Sequence, residues 1–166
     1  MAAPPLKGIT RIKAPGCEVH WDDTYSPIFF ANTVGVVNME VMEQWYAVRN
    51  PAYARAMSLG QKAMLVSDVS NMTPPDAVMR KELALLGEKE DEAFRGVVLG
   101  QVFIMSNPVL RGVVTALQWI SPNALVPTVT AASLKDAARQ VERHYTRAGL
   151  PMPPYPDNYA FEKITL

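Results

Sequence analysis

The chain has one cysteine, two histidines, no run of lysine or arginine and no long apolar stretch. Each scarcity excludes something. A lone Cys17 cannot form an internal disulfide, so the fold must be held by an apolar core, and the usage fits a reducing compartment. The histidines, His20 and His144, are too few and too far apart for an ordinary metal centre. Cys17 and His20 do show a C-x-x-H spacing, but on a strand residues three apart point to opposite faces, so no metal site is expected. Sixteen basic residues balance sixteen acidic ones. That balance, with no basic cluster, excludes the electrostatic footprint that nucleic acid requires. No segment approaches the roughly 18 apolar residues of a membrane span, and "MAAPPLKGITRIKAPG" contains no apolar signal core. Membrane insertion is not expected, and the chain reads as cytoplasmic.

Motifs for catalysis are missing as well. There is no G-x-S-x-G elbow, no G-x-x-x-x-G-K-[ST] phosphate loop and no G-x-G-x-x-G after a strand. Asp22 and Asp23 lie together in a turn, and Glu88, Glu90, Asp91 and Glu92 form a charge run that reads as a solvated helix end. Asp68, closing an apolar run, fits the capping of a nearby turn. No catalytic residue and no cofactor are expected, and the chain is not read as an enzyme.

What is present is a regular alternation of strands and helices. Residues 1 to 16 hold three prolines and no periodicity, and read as a flexible arm. Cys17, Val19 and Trp21 alternate with Glu18, His20 and Asp22, the period of a half-buried edge strand, and "IFFANTVGVV" (28–37) should pair with it as an antiparallel hairpin. Asn38 caps a helix in which Met42, Trp45, Tyr46 and Arg49 fall at helical spacing, and Asn50-Pro51 predicts a break or kink. "AMLVSD" (63–68) is a buried strand. A polar turn follows, and Thr73, with Asp76 three residues on, predicts the cap of a second helix. "VVLGQVFIM" (97–105), a helix after Ser106-Asn107-Pro108, "PTVTAA" (127–132) and a helix capped by Ser133 complete the series. The expected order is β-β-α-β-α-β-α-β-α: a single small α/β domain over residues 17–150, with a largely parallel sheet and an antiparallel edge strand. Residues 151–166 are rich in proline yet also apolar, and should lie extended against the domain or a partner.

The stretch "LVSDVSNMTPPDAVMRK" and the alternation after it resemble the SpoIIAA-like, or STAS-like, family, best known from bacterial anti-sigma-factor antagonists. The resemblance covers most of residues 17–149. In that family the turn leads to an Asp-Ser pair whose serine is phosphorylated by a partner kinase. Asp76 matches the aspartate, but Ala77 stands in the serine's place, so the resemblance implies a regulatory docking surface without that switch. Its residues would be Ser70, Asn71, Thr73, Asp76, Ala77 and Arg80, facing a protein partner, with a homo-oligomer as a further possibility. The resemblance extends to SEC14-like lipid-binding proteins, which gives an alternative: a carrier or sensor of an apolar small molecule, held by Phe29, Phe30, Trp45 and Trp119. The nine methionines and the tryptophans read first as core filling.

Overall fold

The computed structural model describes residues 2–112, 114 and 126–166. Six strands form one sheet in sequential order: β1 (Ile9–Ala14), β2 (Cys17–Asp22), β3 (Ile28–Val36), β4 (Ala63–Thr73), β5 (Val98–Ile104) and β6 (Thr128–Ala131). The pairs β1–β2 and β2–β3 are antiparallel, and β3 to β6 run parallel. Helix α1 (Met39–Ser58) joins β3 to β4, and α2 (Ala77–Asp91) joins β4 to β5. Helix α3, described over 108–112, comes after β5 in the chain, and α4 (Leu134–Arg147) follows β6. This is a single α/β domain with a mostly parallel sheet and antiparallel strands at one edge, the architecture the family resemblance implies.

Sequential order decides where the helices go. Right-handed crossovers between neighbouring parallel strands place α1, α2 and α3 on one face. Leu65 of β4 accordingly packs with Ala52 and Tyr53 of α1, and Val69 packs with Leu110 of α3. The opposite face carries Ile28, Phe30, Met64, Val66, Val102 and Ile104, which meet Ala137, Val141 and Tyr145 of α4. The two-residue period of a strand thus sorts the core into two layers.

The first sixteen residues are not a free arm. Pro15-Gly16, with Gly16 at φ +74°, turns β1 back onto β2 in full register from Ala14↔Cys17 to Ile9↔Asp22. Ile12 is the one buried residue of β1, so apolar alternation is absent from its sequence. With β1 outside it, β2 is an interior strand, and all six of its residues are buried, Glu18, His20 and Asp22 included. Their cover is the extended tail after α4. Tyr159 stacks on Phe30 with ring centroids 3.9 Å apart and donates its hydroxyl to Asp22 at 3.0 Å. Glu162 accepts from Arg11 at 2.6 Å, and Tyr155 and Phe161 also pack against Phe30. Burial, with Asp22 next to it, pushes the Tyr159 hydroxyl pKa well up.

Two helix features depart from expectation. Helix α1 runs unbroken through Pro51. Pro51 and Ala47, one turn earlier, are both exposed, so the carbonyl that lacks an N–H partner faces water. Thr73 is the last residue of β4, because pairing with β3 continues through Val34↔Asn71, Gly35↔Met72 and Val36↔Thr73. Pro74-Pro75 then ends the strand, and the N-cap of α2 is Asp76, which accepts from the Met79 N–H at 2.8 Å. Asn38 and Ser133 cap α1 and α4 by the same kind of bond. Replacing Asp76 by alanine should cost about 1 kcal/mol, and Thr73→Ala no more than a few tenths. Urea midpoints of the two variants against the parent give the ranking, and equal losses would return the cap to Thr73.

Candidate functional site

Helix α2 has fifteen residues and none of them is buried. Every other helix longer than one turn and fully described sets residues into the core. Helix α2 instead stands off the sheet and forms with it a partly open cavity of about 260 Å³. That is just below the ~300–1,000 Å³ usual for small-molecule sites.

Strand register builds the floor. Leu65, Gln101 and Thr128 lie abreast on β4, β5 and β6, and Ser67 lies beside Phe103 one pleat further on. Thr33 of β3 and Val69 of β4 extend the floor at its edges. The side wall is α1, through Met42, Trp45, Tyr46 and Arg49. The cover is α2, through Leu83, Ala84, Gly87, Glu88 and Asp91, and Met72 and Pro75 lie where β4 passes into it. The lining is mostly apolar, with a small set of hydroxyl and amide groups on the floor. Gln101 donates its amide N–H to Thr128 Oγ1 at 2.8 Å.

The charged corner is built from one buried cation. Arg49, 5% exposed, lies 4.5 Å from the centre of the Tyr46 ring and 4.7 Å from that of Tyr53. Its Nη1 donates to Asp91 at 2.6 Å. Nε and Nη2 donate to Asn50 Oδ1, and Nη2 also to the Glu90 carbonyl. Asn50 in turn donates to Glu90 Oε2 at 2.8 Å. The run Glu88–Glu92 is therefore not simply a solvated face, since Asp91 and Glu90 fasten α2 to α1. At its other end α2 is held by the Asp76 cap and by Arg80, which donates to the Pro75 carbonyl at 2.9 Å. Burial pushes the Tyr46 hydroxyl up to about 12; Arg49 opposes the rise, and Asp91 and Glu90 add to it.

The residues expected to form a docking surface do not converge on one feature. Ser70, Asn71 and Thr73 belong to β4, and the Ser70 N–H is held by Asp68 Oδ1 at 2.9 Å. Asp76 is committed to the cap and Arg80 to Pro75, and Ala77 is exposed on the first turn of α2. Of the residues expected to hold an apolar ligand, Trp45 lines the cavity. Phe29 is sealed in the core, stacked on Trp21, and Phe30 faces α4 and the tail across the sheet. Their consecutive positions on one strand make it impossible for both to face one cavity. Trp119 lies outside the described residues. Sequence reasoning missed Arg49 as the centre of this corner, and Gln101, Thr128 and Ser67 as its floor. Polar residues inside strands otherwise rich in apolar ones were the available signal. Among the described residues no group of histidine, cysteine and carboxylates could hold a metal, and no helix is long and apolar enough to cross a membrane.

No family model matches the sequence, and no curated protein matches it. Among solved structures, the chain is similar to the crystal structure of an anti-sigma factor antagonist from Mycobacterium paratuberculosis, at 17% identity and a TM-score of 0.49 over 78% of this chain and 98% of that one. The chemistry of the cavity is read from this chain's own residues.

Tyr46 gives the corner a pH signature. Its folded pKa lies above its unfolded value near 10, so between pH 10 and about 12 the unfolded state holds fewer protons than the folded one. Stability contributed by this hydroxyl is complete below pH 10 and is lost as pH rises towards 12. The loss should be about 2 kcal/mol, and Tyr46→Phe should remove that part of the alkaline decline. Denaturant unfolding of parent and variant across this window checks it, and parallel declines would count against the assignment.

Proposed function

We propose that this protein is a non-enzymatic binding module that takes up a small, largely apolar molecule between its sheet and α2. The observation that carries the reading is the partly open cavity, covered on one side by a helix with no buried residue. A helix that merely completed a core would bury its apolar face. Leu83, which also packs against the cluster of Val37 and Val41, and Ala84 are instead half-buried beside an unfilled space, and an occupant would add to their contacts. Tyr46, Ser67, Thr33 and Gln101 supply the few polar groups that orient a ligand in such a site.

Naphthylmethanol, an aromatic alcohol of suitable size, serves as the probe. Calorimetry should show saturable binding to the full chain, with slower amide exchange in α2. Ala84→Phe, which places a ring in the cavity, should abolish the binding while the fold is kept. Equal binding by parent and variant would locate the probe elsewhere and overturn the reading.

A second reading, docking of a protein partner, draws support from the outer side of α2. Val78 is 69% exposed and Leu85 55%, and they lie seven residues apart, on one helix face with Ala77 beside them. Affinity purification of the full chain from its native cell should then recover a protein that the Val78→Glu variant loses. Recovery of the same protein by parent and variant would dismiss this face.

A further inference from the structure

We propose that the molecule bound under α2 is uncharged, and that the Arg49–Asp91 pair is what excludes an anion. This rests on the cavity being a ligand site. A buried arginine in a mostly apolar pocket would ordinarily mark a carboxylate or phosphate site, since the guanidinium fork matches such groups. Here the fork is already engaged. Four hydrogen bonds run from Arg49 to Asn50, to the Glu90 carbonyl and to Asp91, and the Asp91 carboxylate occupies the place an acidic ligand would take.

The charge count supports the same conclusion. Among the described residues the acidic and basic side chains lining the cavity are Arg49, Asp91 and Glu88: one basic and two acidic, a formal net of minus one. Tyr46, held up to about 12, stays a neutral hydroxyl at physiological pH. An anion entering would shed its water to meet a spent cation and two carboxylates. A cation would find Glu88, exposed at the rim, but would have to settle near Arg49 to fill the apolar interior. An uncharged body with a hydroxyl or carbonyl group meets no such cost. The Gln101 amide and the Ser67 and Thr33 hydroxyls on the floor can both donate and accept.

Three probes of one shape test this: naphthylmethanol, naphthoate and naphthylmethylammonium, titrated calorimetrically into the full chain. The alcohol should bind at least about tenfold more tightly than either ion. Asp91→Asn removes a carboxylate and with it the ion pair to Arg49 Nη1, leaving the guanidinium charge uncompensated there, so naphthoate should draw level with the alcohol or pass it. Glu88→Gln, at an exposed position with no hydrogen bond or ion pair among the described residues, should narrow the gap between alcohol and naphthoate by about threefold and widen that between alcohol and ammonium, through the rim charge. If naphthoate or the ammonium binds the parent as tightly as the alcohol, and Ala84→Phe still blocks it, the site stands and its neutrality is refuted. Neutrality is refuted equally if neither charge variant changes the ranking. If no probe binds, or all bind Ala84→Phe unchanged, the site itself is refuted.

Discussion

The placement of α2 depends on a single buried cation. Arg49 sits in α1 among Tyr46, Tyr53 and Phe94, three rings contributed by α1 and the turn after α2. It bonds to Asp91 and to the Glu90 carbonyl, at the end of α2. A buried charge of this kind is costly to desolvate and gives little net stability compared with an apolar core of the same volume. Its effect is positional. With Asn50–Glu90 beside it, the pair fixes the end of a helix that buries none of its own residues and meets the core through half-buried Leu83, and so holds α2 over the sheet without filling the space beneath. An apolar cluster at the same place would pull α2 down onto the sheet, and the cavity would close.

The two faces of the sheet meet opposite requirements. On the α4 face, close-packed aliphatic residues continue into a cluster of rings from the tail, with Tyr25, Tyr155, Tyr159 and Phe161 around Phe30. Four prolines in the tail keep it out of a helix, and an extended chain is what can follow β2 and β3 closely enough to reach their charged positions. Glu18, His20 and Asp22 are buried there with partners: His20 meets Glu18 at 2.7 Å, and Asp22 accepts from Tyr159. On the other face the floor near β5 and β6 is polar in the middle, and the helix above stays clear of it.

Much of this order was legible in the sequence, and what was not has physical causes. The strands of the parallel part carry their signal in runs such as "IFFA" and "AMLV", which need burial on both faces. Strand β1 gave no such signal, because Ile12 alone faces the core. Its one cue was Pro15-Gly16, a turn that presupposes a strand on either side. Thr73 and Asp76 are both good caps in isolation. The choice between them was made by the β3 pairing that carries β4 as far as Thr73, a long-range effect that local sequence does not contain. The candidate site was the least legible part. Phe29 and Phe30 look like ligand contacts by composition, yet the alternation of a strand sends them to opposite layers. Arg49 showed only as one more residue on a helical stripe, since its partners lie some forty residues away.

The same alternation explains why the cavity sits where it does. Gln101, Thr128, Ser67 and Thr33 fall on inward positions that elsewhere in this sheet hold valine, leucine or phenylalanine. A helix pressed onto them would bury polar groups without partners, at a cost of order 1–3 kcal/mol for each group left unsatisfied. The polar floor thus disfavours collapse from below, while the Arg49–Asp91 pair fixes the end of the helix above. An occupant that is apolar around its perimeter and hydrogen-bonds to the floor satisfies both surfaces together. The free energy of its binding then adds to the stability of the folded state, because the unfolded chain offers no such enclosure. On the proposed reading, occupancy of the cavity and the order of α2 would for that reason be one equilibrium, and α2 also carries the exposed Val78 and Leu85.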